Sequence, residues 1–379
     1  MRIGNVLYMP QSKWKAGERR AFRSCMVSQA DRVVPAFKIT PSGSFDPDEQ
    51  RVLTATEYMA RFGQQLAESW GRRLAFIDAE LIDDDRHKNA AGVHPLTELM
   101  ERARLAGASA APIFSPTSSP EYLAAVRRYV ARDEEAISCL RLSLSDLEYA
   151  QNADELSARV FELGSRPSST VLLIDGGPLQ IDDPEDLAHL LASQMGRLIR
   201  PGEWLRVFWS TTSFPEKSGL RAGMVGLYPR KDWFVYEAIL KHKDEFPIVP
   251  MFSDYMLEYP SNYSPAPVSP TAKLRYSTEA DYVYFMGRST KVENKYRNIF
   301  PVAEKLVSHE VFKGPDYSIG NAYIARLAAG CGKTGNASMW RWASTDHHLN
   351  LVDDQLCKAF GISRERASIV PSAEQLQLV

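Results

Sequence analysis

The sequence predicts an α/β fold, a (β/α)8 TIM-like barrel with a C-terminal α+β extension that caps the barrel mouth. Short apolar runs recur along the chain, and most of them are followed by a helical pattern. Parallel strands need a crossover connection, which a helix usually supplies. Eight such units in about 250 residues fit a closed barrel. The runs are Val6–Met9, Val33–Ile39, Leu74–Ile77, Ala110–Phe114, Ile137–Leu142, Val171–Ile174, Trp204–Trp209 and Ile248–Phe252.

The segments between the runs carry helical periodicity. Apolar residues repeat every three to four positions in two of them, which predicts amphipathic helices. Pro184 and Pro120 each stand at a predicted helix start with acidic residues in the first turn, which suits the positive end of the helix dipole. The runs themselves are continuously apolar, as expected for strands covered on both faces. The two apolar stripes are Tyr58, Phe62, Leu66, Trp70 and Leu187, Leu190, Leu191, Met195, Leu198.

The pattern changes after about Tyr259. Prolines and serines in Pro260–Pro270 predict a surface loop. A strand pair and two helices are then predicted, followed by an aromatic, histidine-bearing segment. We therefore predict a barrel over residues 1–258, an extension packed on it over 259–361, and a flexible tail over 362–379. The predicted elements of the extension are Leu274–Tyr276, Tyr282–Met286, Asn298–His309, Asn321–Ala329 and Trp340–Leu351.

Composition narrows the functional class. The 379 residues carry 45 basic and 47 acidic side chains, for a net charge of −2, which gives no general nucleic-acid footprint. The four cysteines lie far apart without a CxxC pair, which predicts reduced thiols rather than a disulfide framework or a zinc site. No run of 18 apolar residues is present, so we predict a cytoplasmic protein without membrane insertion.

Charged residues follow the predicted strand ends, where the working residues of a (β/α)8 barrel lie. Burying ions of both signs is costly unless they pair or meet a ligand. Two interpretations stay open: a structural ion network at the barrel mouth, or a pocket in which cations hold an anion while a carboxylate acts as base. These residues are Lys13, Lys15, Glu18, Lys38, Asp78, Glu80, Arg141, Asp175 and Asp254.

The adjacent pair His347-His348 is a second candidate. Neighbouring side chains point in different directions on a helix or a strand, so both cannot face one metal without distortion. No metal or cofactor is therefore predicted. One histidine could serve as general acid or base at the barrel mouth, or each could be a structural residue with its hydrogen bonds satisfied. Aromatic residues near Arg275 and Arg341 could form core or could stack on bases.

Several segments together resemble the phage-type "beta protein" family. Tyr8–Pro10 and Lys13–Glu18, followed by Val34–Lys38, are similar to the strand, K-W-K-x-G-E-like stretch and second strand at the start of that family. The similarity spans about Leu7 to Val352. Further matching segments are Pro229–Trp233, Asp254-Tyr255, Arg275-Tyr276, Phe312–Gly314, Tyr317–Gly320 and Trp340-Arg341 leading to His347-His348.

The resemblance implies a barrel-like fold and an origin in phages and in bacterial mobile or defence-associated gene neighbourhoods. It implies no established reaction. This chain departs from the family at two positions. Lys38 stands where an acidic residue is usual, and Asn321 stands where an aspartate is common.

Our preferred hypothesis is a barrel that binds an anionic ligand, a nucleotide or a nucleic-acid end, with phosphodiester chemistry. Lys15, Arg141 and Arg275 would hold the phosphate. Asp78 or Asp175 would be the base or a metal-holding acid, and His347 or His348 the proton donor. The full set of ligand-binding candidates is Lys13, Lys15, Glu18, Arg141, Asp254, Arg275, Tyr276, Trp340 and Arg341.

Two alternatives remain open at this level. One is a non-catalytic protein of phage–host conflict that binds a partner from a neighbouring gene through its aromatic second half. The other is a metal-dependent phosphodiesterase, a nuclease-like hydrolase.

Overall fold

The structure is a computed structural model, and it describes residues 3–25, 27–41, 45–46, 51–84, 88–89, 91–133, 135–179, 183–260 and 271–364. The strands within these residues are β1 (Tyr8–Lys13), β2 (Ala36–Lys38), β3 (Phe45–Asp46), β4 (Arg51–Val52), β5 (Leu74–Asp78), β6 (Ser109–Phe114), β7 (Ser138–Ser143), β8 (Thr170–Pro178), β9 (Arg206–Thr212), β10 (Val225–Pro229), β11 (Met251–Asp254), β12 (Thr271–Ser277) and β13 (Asp281–Ser289).

The α-helices are α1 (Ala16–Arg23), α2 (Val27–Ala30), α3 (Ala55–Trp70), α4 (Pro95–Leu105), α5 (Pro120–Val130), α6 (Leu144–Tyr149), α7 (Ala153–Phe161), α8 (Pro184–Leu198), α9 (Lys231–Lys241), α10 (Phe300–Val307), α11 (Ile319–Ala328) and α12 (Ala337–Ala359). Short 3-10 turns include Glu80–Ile82 and Lys243–Glu245. None of the helices in the described ranges is long and apolar enough to cross a lipid bilayer.

Eight parallel strands close into a barrel in the order β1-β11-β9-β8-β7-β6-β5-β2. Each of the eight apolar runs overlaps one of these strands, so the predicted (β/α)8 barrel is confirmed. The barrel closes where β1 pairs with β11 on one side and β2 on the other, with Tyr8 opposite Phe252 and Lys13 opposite Lys38. Val171 to Ile174 on β8 are fully buried, as expected for a strand covered on both faces.

Local sequence signals set the helix starts. Thr54 and Glu57 form a capping box at the start of α3. Pro120 and Pro184 open α5 and α8 after the side-chain caps Ser119 and Asp183, as the sequence predicts. The apolar stripe of α8 is buried except at Leu190, which is exposed. Leu187 and Leu191 occupy the buried face of α8, and Leu190 lies on the other, polar side of the helix.

The described chain forms two compact units. The first unit draws on Met1–Trp14, Ala30–Ser213 and Lys231–Tyr255, and it contains the barrel. The second unit draws on Lys15–Gln29, Phe214–Arg230 and Met256–Val379.

The second unit contains a three-stranded sheet with the order β10-β13-β12. Strands β12 and β13 are antiparallel neighbours, with Arg275 opposite Tyr284, which confirms the predicted strand pair. The predicted helices appear as α10 and α11, and the histidine-bearing segment lies within α12. Capping of the barrel mouth by the extension stays a prediction. The predicted loop from residue 261 to 270 and the tail from residue 365 lie outside the described residues.

Two glycines allow close helix contacts in the second unit. A Cβ atom at Gly17 of α1 would lie 2.6 Å from the carbonyl oxygen of Ser338, and one at Gly320 of α11 would lie 2.3 Å from that of Ala343. Both carbonyl groups belong to α12. The glycines therefore set how closely α1 and α11 approach α12.

We predict that Gly320→Ala lowers the free energy of unfolding by about 1–3 kcal/mol, because the added methyl group overlaps a backbone carbonyl that cannot move freely. Gly196→Ala is the matched control, since Gly196 lies within α8 and a Cβ there meets no atom within 4 Å. The control should be neutral or stabilising by up to about 1 kcal/mol. Urea unfolding measures both, and equal effects would contradict the close-contact explanation.

Candidate functional site

Charged side chains gather at the carboxyl end of the barrel strands, because parallel strands all end at the same rim. Four of the predicted site residues are the last residue of their strand, and two others lie within β7 and β8. Both groups come from the first unit. The terminal residues are Lys13 of β1, Lys38 of β2, Asp78 of β5 and Asp254 of β11, and the other two are Arg141 and Asp175.

Arg141 joins two carboxylates. Its Nη1 donates to Asp78 Oδ2 over 2.6 Å, and its Nη2 donates to Glu80. Burial would raise the pKa of Asp78, but Arg141, Lys38 and the Glu80 backbone N–H hold that pKa below its ordinary value. Burial would lower the pKa of Arg141, but Asp78, Glu80 and Asp175 raise it well above its ordinary value. The ionised form of Asp78 and that of Arg141 therefore stabilise each other.

Hydroxyl groups complete the contacts of two acids. Ser115 and Ser118 donate to Glu80 Oε1 over 2.9 and 2.6 Å. The Tyr255 hydroxyl lies 2.5 and 2.6 Å from the two oxygens of Asp175. Burial and the Asp175 charge raise the pKa of Tyr255 well above its ordinary value, so the phenol keeps its proton and donates it.

The opposite part of the rim is also hydrogen-bonded. Tyr8 donates from its hydroxyl to Asp254 Oδ1 over 2.7 Å, and Asp254 is fully buried. Gln11 Nε2 donates to Ser210 Oγ over 2.6 Å. The barrel acids thus have protein partners, which favours the structural ion network over an anion pocket at Arg141.

Sequence reasoning missed the polar partners of this network. Ser115, Ser118, Gln11 and Tyr8 carry no charge, and Tyr255 appeared only in the family-like segment Asp254-Tyr255. Their shared signal is position, because each lies on or just after a barrel strand.

We predict that Arg141→Ala lowers the free energy of unfolding by about 3–5 kcal/mol, because it leaves buried carboxylates without their cation. Arg132→Ala is the control. Arg132 pairs with Glu101 at the surface, where an ion pair contributes about 0–1 kcal/mol. Denaturant unfolding compares the two variants. An unchanged stability in Arg141→Ala would restore the ligand-pocket interpretation.

A second group of predicted site residues lies in the second unit. Lys15 directly precedes α1, Glu18 lies on α1, Arg275 on β12 and Arg341 on α12. Arg341 Nη1 donates to Glu18 Oε1 over 3.1 Å and also to Glu258. Lys15 Nζ lies 3.9 Å from Glu258 Oε1. The structure therefore brings Lys15, Glu18 and Arg341 together around Glu258.

Two further cations face this group from β12. Lys273 and Arg275 alternate with buried apolar residues and so lie on the same side of the strand. Burial, followed by the charges of Arg275 and Arg341, lowers the pKa of Lys273 to about 8. Burial and Arg341 also lower the pKa of Arg275. Lys273 was not identified from the sequence. The only feature that points to it is its position two residues before Arg275, which places both side chains on the same face of β12.

Only some of the N–H donors of Arg275 have a hydrogen-bond acceptor among the described residues. Its Nη1 donates to the Leu257 carbonyl over 2.7 Å, and its guanidinium lies 5.3 Å from the Phe214 ring centroid. Its Nε is buried without a hydrogen-bond partner among the described residues. We call Lys15, Glu18, Glu258, Lys273, Arg275 and Arg341 the cationic cluster. Among its members, Glu18 and Glu258 pair with Arg341, and Lys273 and Arg275 lie beside Arg341.

The histidine pair lies in the core of the second unit. His347 and His348 are fully buried on α12. His347 Nδ1 lies 2.9 Å from Asn321 Oδ1, and its Nε2 lies 2.8 Å from the Ser277 carbonyl oxygen. The ring stacks on Tyr276 with a centroid separation of 3.6 Å. Burial lowers the pKa of His347 to about 3, so this imidazole is neutral at neutral pH.

The remaining aromatic candidates are also core residues. Tyr276 is fully buried, and its hydroxyl accepts from Asn321 Nδ2 and from the Lys313 backbone N–H. Trp340 is buried and donates from Nε1 to the Thr334 carbonyl over 2.8 Å. These contacts favour the structural role that the sequence left open for the histidines. Because Tyr276 and Trp340 are buried, they cannot form the exposed aromatic surface that the partner-binding hypothesis requires.

We predict that His347 makes the second unit sensitive to acid. Below pH 6.5 the unfolded chain binds a proton at His347, whereas the folded chain binds it only near pH 3. The contribution of His347 to the free energy of unfolding should therefore decrease as the pH is lowered through this window, by up to about 1.4 kcal/mol per pH unit. His347→Gln should remove this contribution to the pH dependence of stability, as measured by urea unfolding at several pH values.

Asp346 provides a control of opposite sign. Burial raises the pKa of Asp346 from 3.8 to about 6, so the folded state takes up its proton first and gains stability as pH falls through this window. Asp346→Asn should therefore steepen the loss of stability in acid. Identical slopes in wild type, His347→Gln and Asp346→Asn would contradict both assignments.

The chain was compared with protein families, curated proteins and solved structures. The family model described as Beta protein matches residues 8–353. Comparison with curated proteins finds no match. Among solved structures, the chain is similar to a lyase/mutase from Burkholderia cenocepacia J2315, with 16% identity, a TM-score of 0.30, and coverage of 66% of this chain and 76% of that chain.

Two further solved structures are similar. One is 2,3-dimethylmalate lyase, a PEP mutase/isocitrate lyase superfamily member, with 10% identity, a TM-score of 0.32, and coverage of 67% of this chain and 77% of that chain. The other is Rhizobium etli pyruvate carboxylase, with 11% identity, a TM-score of 0.35, and coverage of 92% of this chain and 25% of that chain.

Proposed function

We propose that this chain, which belongs to the Beta protein family, binds the phosphate group of a nucleotide in the cationic cluster of its second unit. The observation that carries the proposal is the buried Nε of Arg275, which has no hydrogen-bond partner among the described residues. Arg275 and Lys273 lie beside a third cation, Arg341, and burial together with neighbouring cations lowers the pKa of both side chains. A bound anion would supply an acceptor to Arg275 and a negative charge to the three cations.

The energetics of burial support an anionic ligand. Removing cations from water is costly unless opposite charges compensate them. The lowered pKa values of Lys273 and Arg275 express this cost, because burial and neighbouring cations disfavour their charged forms. An anion between these side chains reverses the sign of the local field and restores the charged form of Lys273.

A phosphate group fits the charge and the donor types. A guanidinium presents paired N–H donors that match phosphate oxygens, whereas a lysine acts as a point charge. A phosphate monoester carries close to two negative charges at neutral pH, which would offset the buried positive charges of Lys273 and Arg275. The resemblance to phage-type proteins favours a nucleotide as the molecule that carries this phosphate.

The barrel rim is less suited to the same ligand. Both terminal nitrogens of Arg141 are already bonded, one to Asp78 and one to Glu80. An incoming phosphate would have to compete with those carboxylates and would meet the charge of Asp175. We therefore assign the anion to Lys15, Lys273, Arg275 and Arg341, and we propose binding without a chemical step.

We predict that the wild-type protein binds AMP and inorganic phosphate but not adenosine, with affinity that falls as salt rises. Lys273→Met should weaken AMP binding about tenfold, because it removes one charge-assisted contact of about 1.5 kcal/mol. Isothermal titration calorimetry measures the affinities. Lys358→Met is the control, since Lys358 is an exposed lysine of α12 outside the cluster.

Proton uptake gives a second readout of the same experiment. Near pH 8 a fraction of Lys273 is neutral in the free protein, so anion binding should draw a proton onto it. Titrations in buffers of different ionisation enthalpy measure this uptake, which Lys273→Met should abolish and Lys358→Met should retain. Equal binding of AMP and adenosine, or equal affinity in both variants, would refute the proposal.

A further inference from the structure

A group of histidine and glutamate side chains lies on the first unit, and none of them belongs to the barrel-rim network or to the cationic cluster. Glu185 stands in the first turn of α8, and His189 follows one turn later on the same side of the helix. His242 comes directly after α9, and Glu245 follows in the 3-10 turn. The two helix ends therefore present two imidazoles and two carboxylates to one another.

These side chains already contact one another. His189 Nδ1 lies 2.8 Å from Glu245 Oε2, and His242 Nδ1 lies 3.0 Å from Glu245 Oε1. His242 Nε2 is hydrogen-bonded to Glu185, and the two imidazole centroids are 4.3 Å apart. One donor atom each from Glu185, His189 and His242 lies within 4.8 Å of the other two.

We propose that Glu185, His189 and His242 bind a zinc ion, with Glu245 as a fourth ligand or as the hydrogen-bond acceptor that orients the imidazoles. Zinc takes imidazole nitrogens at about 2.0–2.1 Å and carboxylate oxygens at about 2.0–2.2 Å, usually in tetrahedral geometry. Ligand atoms in such a site are about 3.4 Å apart. The hydrogen-bonded pair His242 and Glu185 would therefore separate slightly, and any wider pair, at most 4.8 Å apart, would close.

The donor set selects the class of metal. Two imidazoles and a carboxylate suit borderline transition metals, whereas calcium and magnesium prefer sites made of oxygen alone. The side chains can close on the ion, because their exposed fractions range from 22% at His242 to 47% at His189. An ion here would join the start of α8 to the end of α9, and so fix two helices of the barrel unit.

Lys241 sets the affinity of the site. Its Nζ donates to Glu185 Oε1 over 2.7 Å, which places a positive charge beside the proposed ligand. That lysine competes with the metal for the carboxylate and repels the ion. Removing the lysine charge should therefore strengthen zinc binding, an effect opposite to that of removing a ligand.

The experiment titrates the full chain with zinc sulfate after removal of metals by a chelator. Cys331 is exposed, and a thiolate is itself a zinc ligand, so all variants carry Cys331→Ser to remove that competing donor. We expect one zinc ion per chain, a raised thermal midpoint, and at least a tenfold weaker affinity in His189→Asn. Lys241→Met should bind several-fold more tightly.

His309→Asn is the matched control, because it removes a partly exposed histidine of the second unit and should leave the affinity unchanged. Circular dichroism verifies that His189→Asn is folded. The proposal is overturned if zinc does not bind saturably at one equivalent, or if His189→Asn and His309→Asn bind it equally. An effect of Lys241→Met in the weakening direction would also refute it.

Discussion

A buried cation must be matched by a carboxylate, and this constraint decides what each charged cluster of the protein can do. Arg141 meets it fully, since Asp78 and Glu80 take both of its terminal nitrogens. In the cationic cluster of the second unit, Glu18 and Glu258 pair with Arg341, whereas the buried Nε of Arg275 has no hydrogen-bond partner among the described residues. The same residue types therefore stabilise the fold in one unit and carry the proposed anion site in the other.

Helix α12 shows how polar residues can form a core. Residues 339–357 are almost entirely buried, although the segment includes Asp346, His347, Asn350 and Gln355. Each of these has a hydrogen bond to a neighbour, such as the one between the Gly320 backbone N–H and Asp346 Oδ2 over 2.7 Å. Asn321 also contributes, because its amide donates to Tyr276 and to the Gly314 carbonyl, which a carboxylate could not do. The histidine-bearing motif thus has a clear structural role.

The sequence predicts the barrel well because its strands leave a strong local signal, a short apolar run before each helix. The carboxyl ends of those runs also locate Asp78, Arg141 and Asp175 correctly at one rim. Long-range partners leave no such signal. Nothing in the local sequence indicates that Glu80 accepts a hydrogen bond from Ser118 or that Lys273 lies beside Arg275. Nothing local indicates either that Lys15–Gln29 and Phe214–Arg230 belong to the second unit. These contacts depend on closure of the whole chain, and periodicity reports only neighbouring residues.

The second unit is assembled from three separated stretches, and this has a consequence for synthesis on the ribosome. Lys15–Gln29 is translated long before α12 (Ala337–Ala359), the helix to which Arg20, Ser24 and Gln29 are hydrogen-bonded. That early segment must stay without its native contacts while about 300 residues are translated, and contacts so distant in sequence form slowly. Nascent chains of this protein should therefore depend on chaperones until α12 has left the exit tunnel.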